Sequence, residues 1–232
     1  MVSSDLVPVT IASGGIRVSG LLDFPPQARA CYVLAHGAGA GMTHRFLAVV
    51  AAELAARGIA TLRYQFPYME RGGRRPDPPK LAHATVRAAV SEASRRVPDL
   101  PLVAGGKSFG GRMTSQAQAL ALMPNVRGLA FLGFPLHAAG AASQERGKHL
   151  FDVHIPMLFL QGTRDKLAEL DQIEPLCATL GERASLKLFA DADHSFHVPA
   201  RTGRKDRDVL GELVDALAAW IDMVSSRMDE PT

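Results

Sequence analysis

The chain has 232 residues, enough for a large buried core and about the size of one α/β domain, so a second independent domain is not expected. With 47% hydrophobic residues, 21% charged residues and a formal net charge of +3, it reads as an ordinary globular protein, neither disordered nor basic enough for nucleic-acid binding. No apolar run approaches the roughly 20 residues of a membrane span, and Met1-Val2-Ser3-Ser4-Asp5 has no leader pattern, which makes the cytoplasm the expected location.

In chain order, Leu6–Ala12 and Ile16–Phe24 are apolar, β-rich stretches separated by Ser13-Gly14-Gly15, and predict an N-terminal antiparallel pair. Cys31–Ala35 is a short continuous apolar run of the kind a strand buried on both faces shows, and it ends in His36-Gly37-Ala38-Gly39-Ala40-Gly41. Phe46, Val49, Val50 and Leu54 share a helical face that Gly58 terminates before the strand Ile59–Tyr64. An irregular stretch from Gln65 to Pro79 leads to a helix over about Leu81–Val97, closed by Pro98, and then to the strand Leu102–Gly105.

Met113, Ala117 and Leu120 mark the next helix, and the strand Arg127–Gly133 follows it. Beyond a connection from Phe134 to Ile155 with one short helix come the strand Met157–Leu160, a helix over about Ala168–Leu180 and the strand Ser185–Phe189. The last helix, about Asp206–Val224, repeats apolar residues at Val209, Leu213, Leu217, Trp220 and Ile221, and residues 225–232 form a polar tail expected to fray. Cys31 and Cys177 are too few and too dispersed for a disulfide framework or a zinc site, and read as buried, reduced thiols. The alternation of strand and helix predicts a mostly parallel sheet with helices on both faces, and ligands at the C-terminal ends of its strands.

Gly106-Lys107-Ser108-Phe109-Gly110 is a G-x-S-x-G pentapeptide between a predicted strand and a predicted helix. A serine on that sharp turn has its hydroxyl presented above the sheet, and flanking glycines permit the close approach other side chains would block. The competing reading, the end of a phosphate-binding loop, needs a glycine where Pro101 stands. A serine hydroxyl is a poor nucleophile until a base takes its proton, so a histidine and a carboxylate are required downstream. Asp165, just past the strand Met157–Leu160, and His194, past the last strand, occur in that order.

Alternatives exist for each residue. Asp165 could be a turn or capping aspartate, and His197 is a second candidate base. Asp191, Asp193, His194 and His197 could suggest a metal site, but no second ligand-rich segment supports one. Donors for the oxyanion are expected from the amide of Phe109 and from the loop after the Cys31–Ala35 strand, with Ala38 as the choice. His36, Gly37 and Lys107 beside these donors are candidate substrate contacts.

The His-Gly loop, the serine turn, Gln161-Gly162-Thr163-Arg164-Asp165 and Asp193-His194-Ser195-Phe196 together resemble the α/β-hydrolase superfamily over nearly the whole chain. Tyr64-Gln65-Phe66-Pro67-Tyr68-Met69-Glu70 with Gly105-Gly106-Lys107-Ser108-Phe109-Gly110-Gly111-Arg112 is similar to a dienelactone-hydrolase-like branch related to the testis-expressed and NSL-complex hydrolase-like proteins. The resemblance implies the fold and the triad positions but no substrate. The dienelactone hydrolases proper use cysteine where this chain has Ser108, so their substrate is not carried over.

The resulting expectation is a serine hydrolase of a small ester, thioester or similar acyl substrate, with neither metal nor organic cofactor. Its rival is an idle scaffold of the same fold that binds or regulates. Only about 20 residues separate Gly133 from Met157, which leaves no room for a large lid. Arg71, Arg74, Arg75 and Lys80, with Arg201, Arg204, Lys205 and Arg207, leave the sheet on the side of Ser108. If they rim one mouth, Arg74 and Arg75 would attract anionic substrates; the bland reading is two solvated loops. The short basic runs lack interleaved aromatics, against a nucleic-acid partner.

Overall fold

The computed structural model describes residues 3–11, 15–140 and 143–226. Eight strands form one sheet: β1 (Ser3–Ile11), β2 (Ile16–Phe24), β3 (Ala30–Ala35), β4 (Ile59–Tyr64), β5 (Leu102–Lys107), β6 (Val126–Leu132), β7 (Met157–Gly162) and β8 (Ala184–Phe189). Their order is β1-β2-β4-β3-β5-β6-β7-β8, with β1, β2 and β4 joined antiparallel and β4 through β8 parallel. The helices are α1 (Arg45–Ala56), the short α2 (Pro67–Glu70), α3 (Pro79–Arg96), α4 (Phe109–Leu120), α5 (Leu170–Leu180) and α6 (Asp206–Ser226).

The continuous apolar strands are explained by burial on both faces. Along β3, Cys31, Val33 and Ala35 join the core beneath α3, α4 and α5, whereas Ala30, Tyr32 and Leu34 join the one beneath α1 and α6. Leu47, Val50 and Leu54 of α1 join Val209, Leu213 and Leu217 of α6 in that second core, with Phe46 packed against it, whereas Val49, expected on the same face, is only half-buried and Leu47 takes its place. No described helix is long and apolar enough to cross a membrane.

From β3 the chain passes through α1 to β4 on one side, and then returns across to β5 on the other. The loops leaving β3 and β5 therefore diverge at their C-terminal ends and leave a crevice between them, the usual ligand position in such sheets. Boundaries shift in places. β5 and β7 each run two residues further than expected, to Lys107 and Gly162, and α3 opens at Pro79 because a proline suits the first helical position. The final helix continues to Ser226, so residues 225 and 226 are helical rather than frayed, while 227–232 and 12–14, which include Ser13 and Gly14 of the expected turn, lie outside the described residues.

Candidate active site

Ser108 joins β5 to α4 with φ 51° and ψ −115°, a conformation that side-chain-bearing residues rarely adopt and that costs about 1–3 kcal/mol. The fold maintains it from both ends: the Ser108 amide donates to the Leu132 carbonyl at 3.3 Å, and its carbonyl accepts from the Arg112 amide at 3.1 Å. The flanking glycines are required by crowding against β3. A Cβ on Gly106 would fall 2.3 Å from the Ala35 carbonyl oxygen, and one on Gly110 2.6 Å from that of His36.

At this turn three side chains from three strand ends form a hydrogen-bonded chain. Ser108 Oγ lies 2.8 Å from His194 Nε2, and His194 Nδ1 lies 2.7 Å from Asp165 Oδ2. An ionised carboxylate only accepts, so the proton resides on Nδ1 and leaves Nε2 free to accept from the serine hydroxyl. Asp165 is fully enclosed, and its remaining capacity is filled by Gln161 Nε2 on Oδ2 at 2.6 Å and the Leu167 amide on Oδ1 at 2.8 Å. Gln161 is fixed in turn because its own carbonyl oxygen accepts from the Phe134 amide at 2.9 Å. Sequence reasoning missed Gln161 as a positioning residue; its signal was a polar residue completing an apolar strand.

Lys107, a candidate substrate contact, borders the cleft and also has a partner in the fold. Its Nζ donates to the His194 carbonyl at 2.6 Å and lies 5.6 Å from the centre of the Phe196 ring, which ties the histidine loop to the serine turn. Burial pushes its ammonium down to about 8, against the pull of Asp165 and Asp193.

His36, also expected to touch substrate, is wholly buried. Its Nε2 accepts from the Phe66 amide at 3.0 Å, so Nδ1 carries the proton and donates to the Gly37 carbonyl at 2.8 Å. It braces the loop after β3 from beneath. The same loop is held from the side by Arg63, which pairs with Asp23 at 2.8 Å and donates to the Met42 carbonyl, and by Gln65, which accepts from the Met42 amide.

Two lobes of the cleft meet at Ser108, each bordered by Ala38 and Leu167. One, of about 460 Å³, is lined by Gly37, His44, Phe46, Leu47, Lys107 and His194. The other, of about 440 Å³, is lined by Pro76, Phe109, Arg112, Met113, Pro135 and Arg146 among others. Among the described residues, the amides of Ala38 and Phe109 donate to no backbone carbonyl in a turn or loop.

Arg74 and Arg75 are exposed and line neither lobe. Asp77 explains why: it is drawn inward by the Tyr68 amide and Arg71, at 2.8 and 3.0 Å, which turns Pro76 and Pro79 to the cleft and leaves the two arginines outside. In the second basic group Arg204 pairs with Glu212, and none of its members borders Ser108. His197, the second candidate base, is exposed and pairs with Asp206 at 2.8 Å, while Asp193 accepts the amides of Ser195 and His197 within its own turn.

Burial also holds the imidazoles of His36 and His149 at about 4, below their ordinary 6.5. Between those values the unfolded chain binds protons that the folded chain refuses, so stability rises with pH across this window and is lost as pH falls through it. The loss is on the order of 3 kcal/mol per histidine. Thermal midpoints should therefore fall less steeply between pH 6.5 and 4.5 in His149→Gln than in the wild-type protein; parallel curves would contradict this account.

The fold is shared with known proteins. The structure is similar to a dienelactone hydrolase from Anabaena variabilis, with a TM-score of 0.78 at 19% identity over 96% of this chain and 98% of that one. It is also similar to an α/β serine hydrolase without lid from Xanthomonas campestris, with a TM-score of 0.71 at 22% identity over 94% and 95% of the two chains. A serine hydrolase homologue from Coxiella burnetii gives 0.73 at 17% identity over 93% and 97%. These likenesses establish a shared fold. A family model described as an alpha/beta hydrolase domain matches residues 28–222, and with the strand order and the serine turn it follows that the chain belongs to the α/β-hydrolase family.

Proposed function

We propose that the protein is a serine hydrolase of small carboxylic esters, thioesters or related acyl substrates. The observation that carries this reading is the unbroken chain from Ser108 Oγ through His194 to the enclosed Asp165, at a strained turn open to a two-lobed cleft. Ser108 Oγ attacks the acyl carbon while His194 Nε2 takes its proton, and the amides of Ala38 and Phe109 stabilise the oxyanion. The bond to the leaving group then breaks as His194 returns the proton to it. A water molecule, deprotonated by the same nitrogen, attacks the acyl-enzyme, releases the acid and restores Ser108. Asp165 remains ionised throughout and stabilises the imidazolium. The cycle closes on side chains and backbone amides and requires neither a metal nor an organic cofactor.

A fluorophosphonate probe should label Ser108 in the native protein, and a panel of esters should be turned over; an unlabelled Ser108 would favour the idle scaffold instead. Within the described part of the connection between β6 and β7 the one helix is a 3-10 turn, Glu145–Asp152, so the cleft has little to open. Short acyl esters should therefore be preferred, and the rate on a long-chain ester should show no jump above its micellar threshold.

A further inference from the structure

The lobe that holds Arg112 and Arg146 has an electrostatic imbalance the proposed hydrolysis does not use. Among the described residues, no carboxylate lies within 4 Å of either guanidinium. The Nε of Arg112 is buried and has no hydrogen-bond partner among the described residues. Burial, and after it the charge of Arg146, pulls the Arg112 guanidinium below its ordinary value, so Arg112 is desolvated with a like charge nearby. Asp77, the acid that lines the same lobe, is already committed to Arg71 and the Tyr68 amide. His149 and His83, which also face Arg112, are shifted toward their neutral forms and add no opposing charge. Arg112 lies 5.9 Å from the centre of the Phe109 ring but has no counter-ion among the described residues; partly buried charges without one are costly, and a carboxylate, whose two oxygens fit a guanidinium fork, would relieve the cost.

The position of the base decides which end of a substrate carries that carboxylate. His194 must reach the leaving group to return its proton, and it lines the opposite lobe with Phe46 and Leu47. The acyl group is left with the lobe of Arg112 and Arg146, whose lining also includes the apolar Phe109, Met113 and Pro135. We infer that Arg112 and Arg146 form a subsite for a carboxylate at the far end of the acyl chain, so that the preferred substrates are half-esters or half-thioesters of short dicarboxylic acids. This inference rests on the serine-hydrolase reading for its chemistry, but the anion subsite has its own readout.

The test compares kcat/KM for monomethyl glutarate with that for methyl pentanoate, which carries a methyl in place of the distal carboxylate. A second pair, 4-acetoxybutanoate and butyl acetate, moves the carboxylate to the alcohol side. The wild-type enzyme should favour monomethyl glutarate over methyl pentanoate at least tenfold, with no such preference in the second pair. In Arg112→Gln/Arg146→Gln, and in Arg146→Gln alone, that preference should fall at least tenfold. Because the readout is a ratio between two substrates on one enzyme, a general loss of activity or of folded protein cancels. Equal rates in the first pair, a preference for the second, or a ratio unmoved by the substitutions would overturn the subsite. Binding of glutarate to Ser108→Ala, measured by calorimetry, reads the subsite without turnover. Binding that Arg146→Gln abolishes supports it even in a protein that no fluorophosphonate labels, whereas no binding, or binding that inorganic phosphate displaces as well as free glutarate does, overturns it.

Discussion

Ser108→Ala should abolish fluorophosphonate labelling and lower kcat/KM on any ester the wild-type protein cleaves by roughly 10⁴- to 10⁶-fold. The fold should survive, because the hydroxyl contributes one hydrogen bond, about 0.5–1.5 kcal/mol, and little packing. Alanine inherits the strained backbone at φ 51°, whereas glycine would not. Ser108→Gly should therefore be equally inactive yet more stable than Ser108→Ala by about 1 kcal/mol, or about 2–4 °C in thermal midpoint for a domain of this size. Substantial hydrolysis by either folded variant would remove the serine from the mechanism. Equal midpoints would show that the turn relaxes once the hydroxyl is gone.

Asp165→Asn should be nearly as damaging, with a loss of kcat on the order of 10⁴ and little change in KM. The reason lies in the partners of the carboxylate. Both oxygens face donors: Gln161 Nε2 and His194 Nδ1 on one, the Leu167 amide on the other. An asparagine must place its own NH₂ against one of these. If the NH₂ faces His194, it forces the proton onto Nε2 and removes the acceptor for the serine; if it faces Leu167, two donors collide in a buried place. A smaller loss in Gln161→Met, which removes one of the donors that orient Asp165, would locate that glutamine as a positioning residue, provided labelling of Ser108 slows in parallel with turnover. Retention of more than a tenth of kcat in Asp165→Asn would mean that His194 is oriented by something other than this carboxylate.

Much of this was legible locally. The serine turn declares itself because a strand, a G-x-S-x-G turn and a helix must follow one another directly, and the backbone conformation needed there is one that crowding permits only with glycine at Gly106 and Gly110. Asp165 and His194 were found by chain order after strands, since a parallel sheet places every strand end on one side. His36 and Lys107 sit where expected along the chain, yet one braces a loop from inside and the other holds the His194 carbonyl. Neither role could be read from spacing, because each partner lies at least 30 residues away, 30 for Phe66 and 87 for His194.

The amino-acid sequence by itself determined the run of strands and helices, the strained serine and the side on which its partners emerge, because these follow from hydrophobic period and from backbone conformations that few residues can adopt. Only the tertiary structure decided which charges border the serine. Arg74 and Arg75 lie in a loop that leaves the correct edge, but Asp77 folds that loop so that they point away, while Arg112 and Arg146, one turn into α4 and on the 3-10 helix after β6, converge on the cleft. Lateral convergence of this kind depends on strand order, on where the chain reverses between β4 and β5, and on which few carboxylates come within reach of each cation, all of which are set by contacts between residues far apart in the chain.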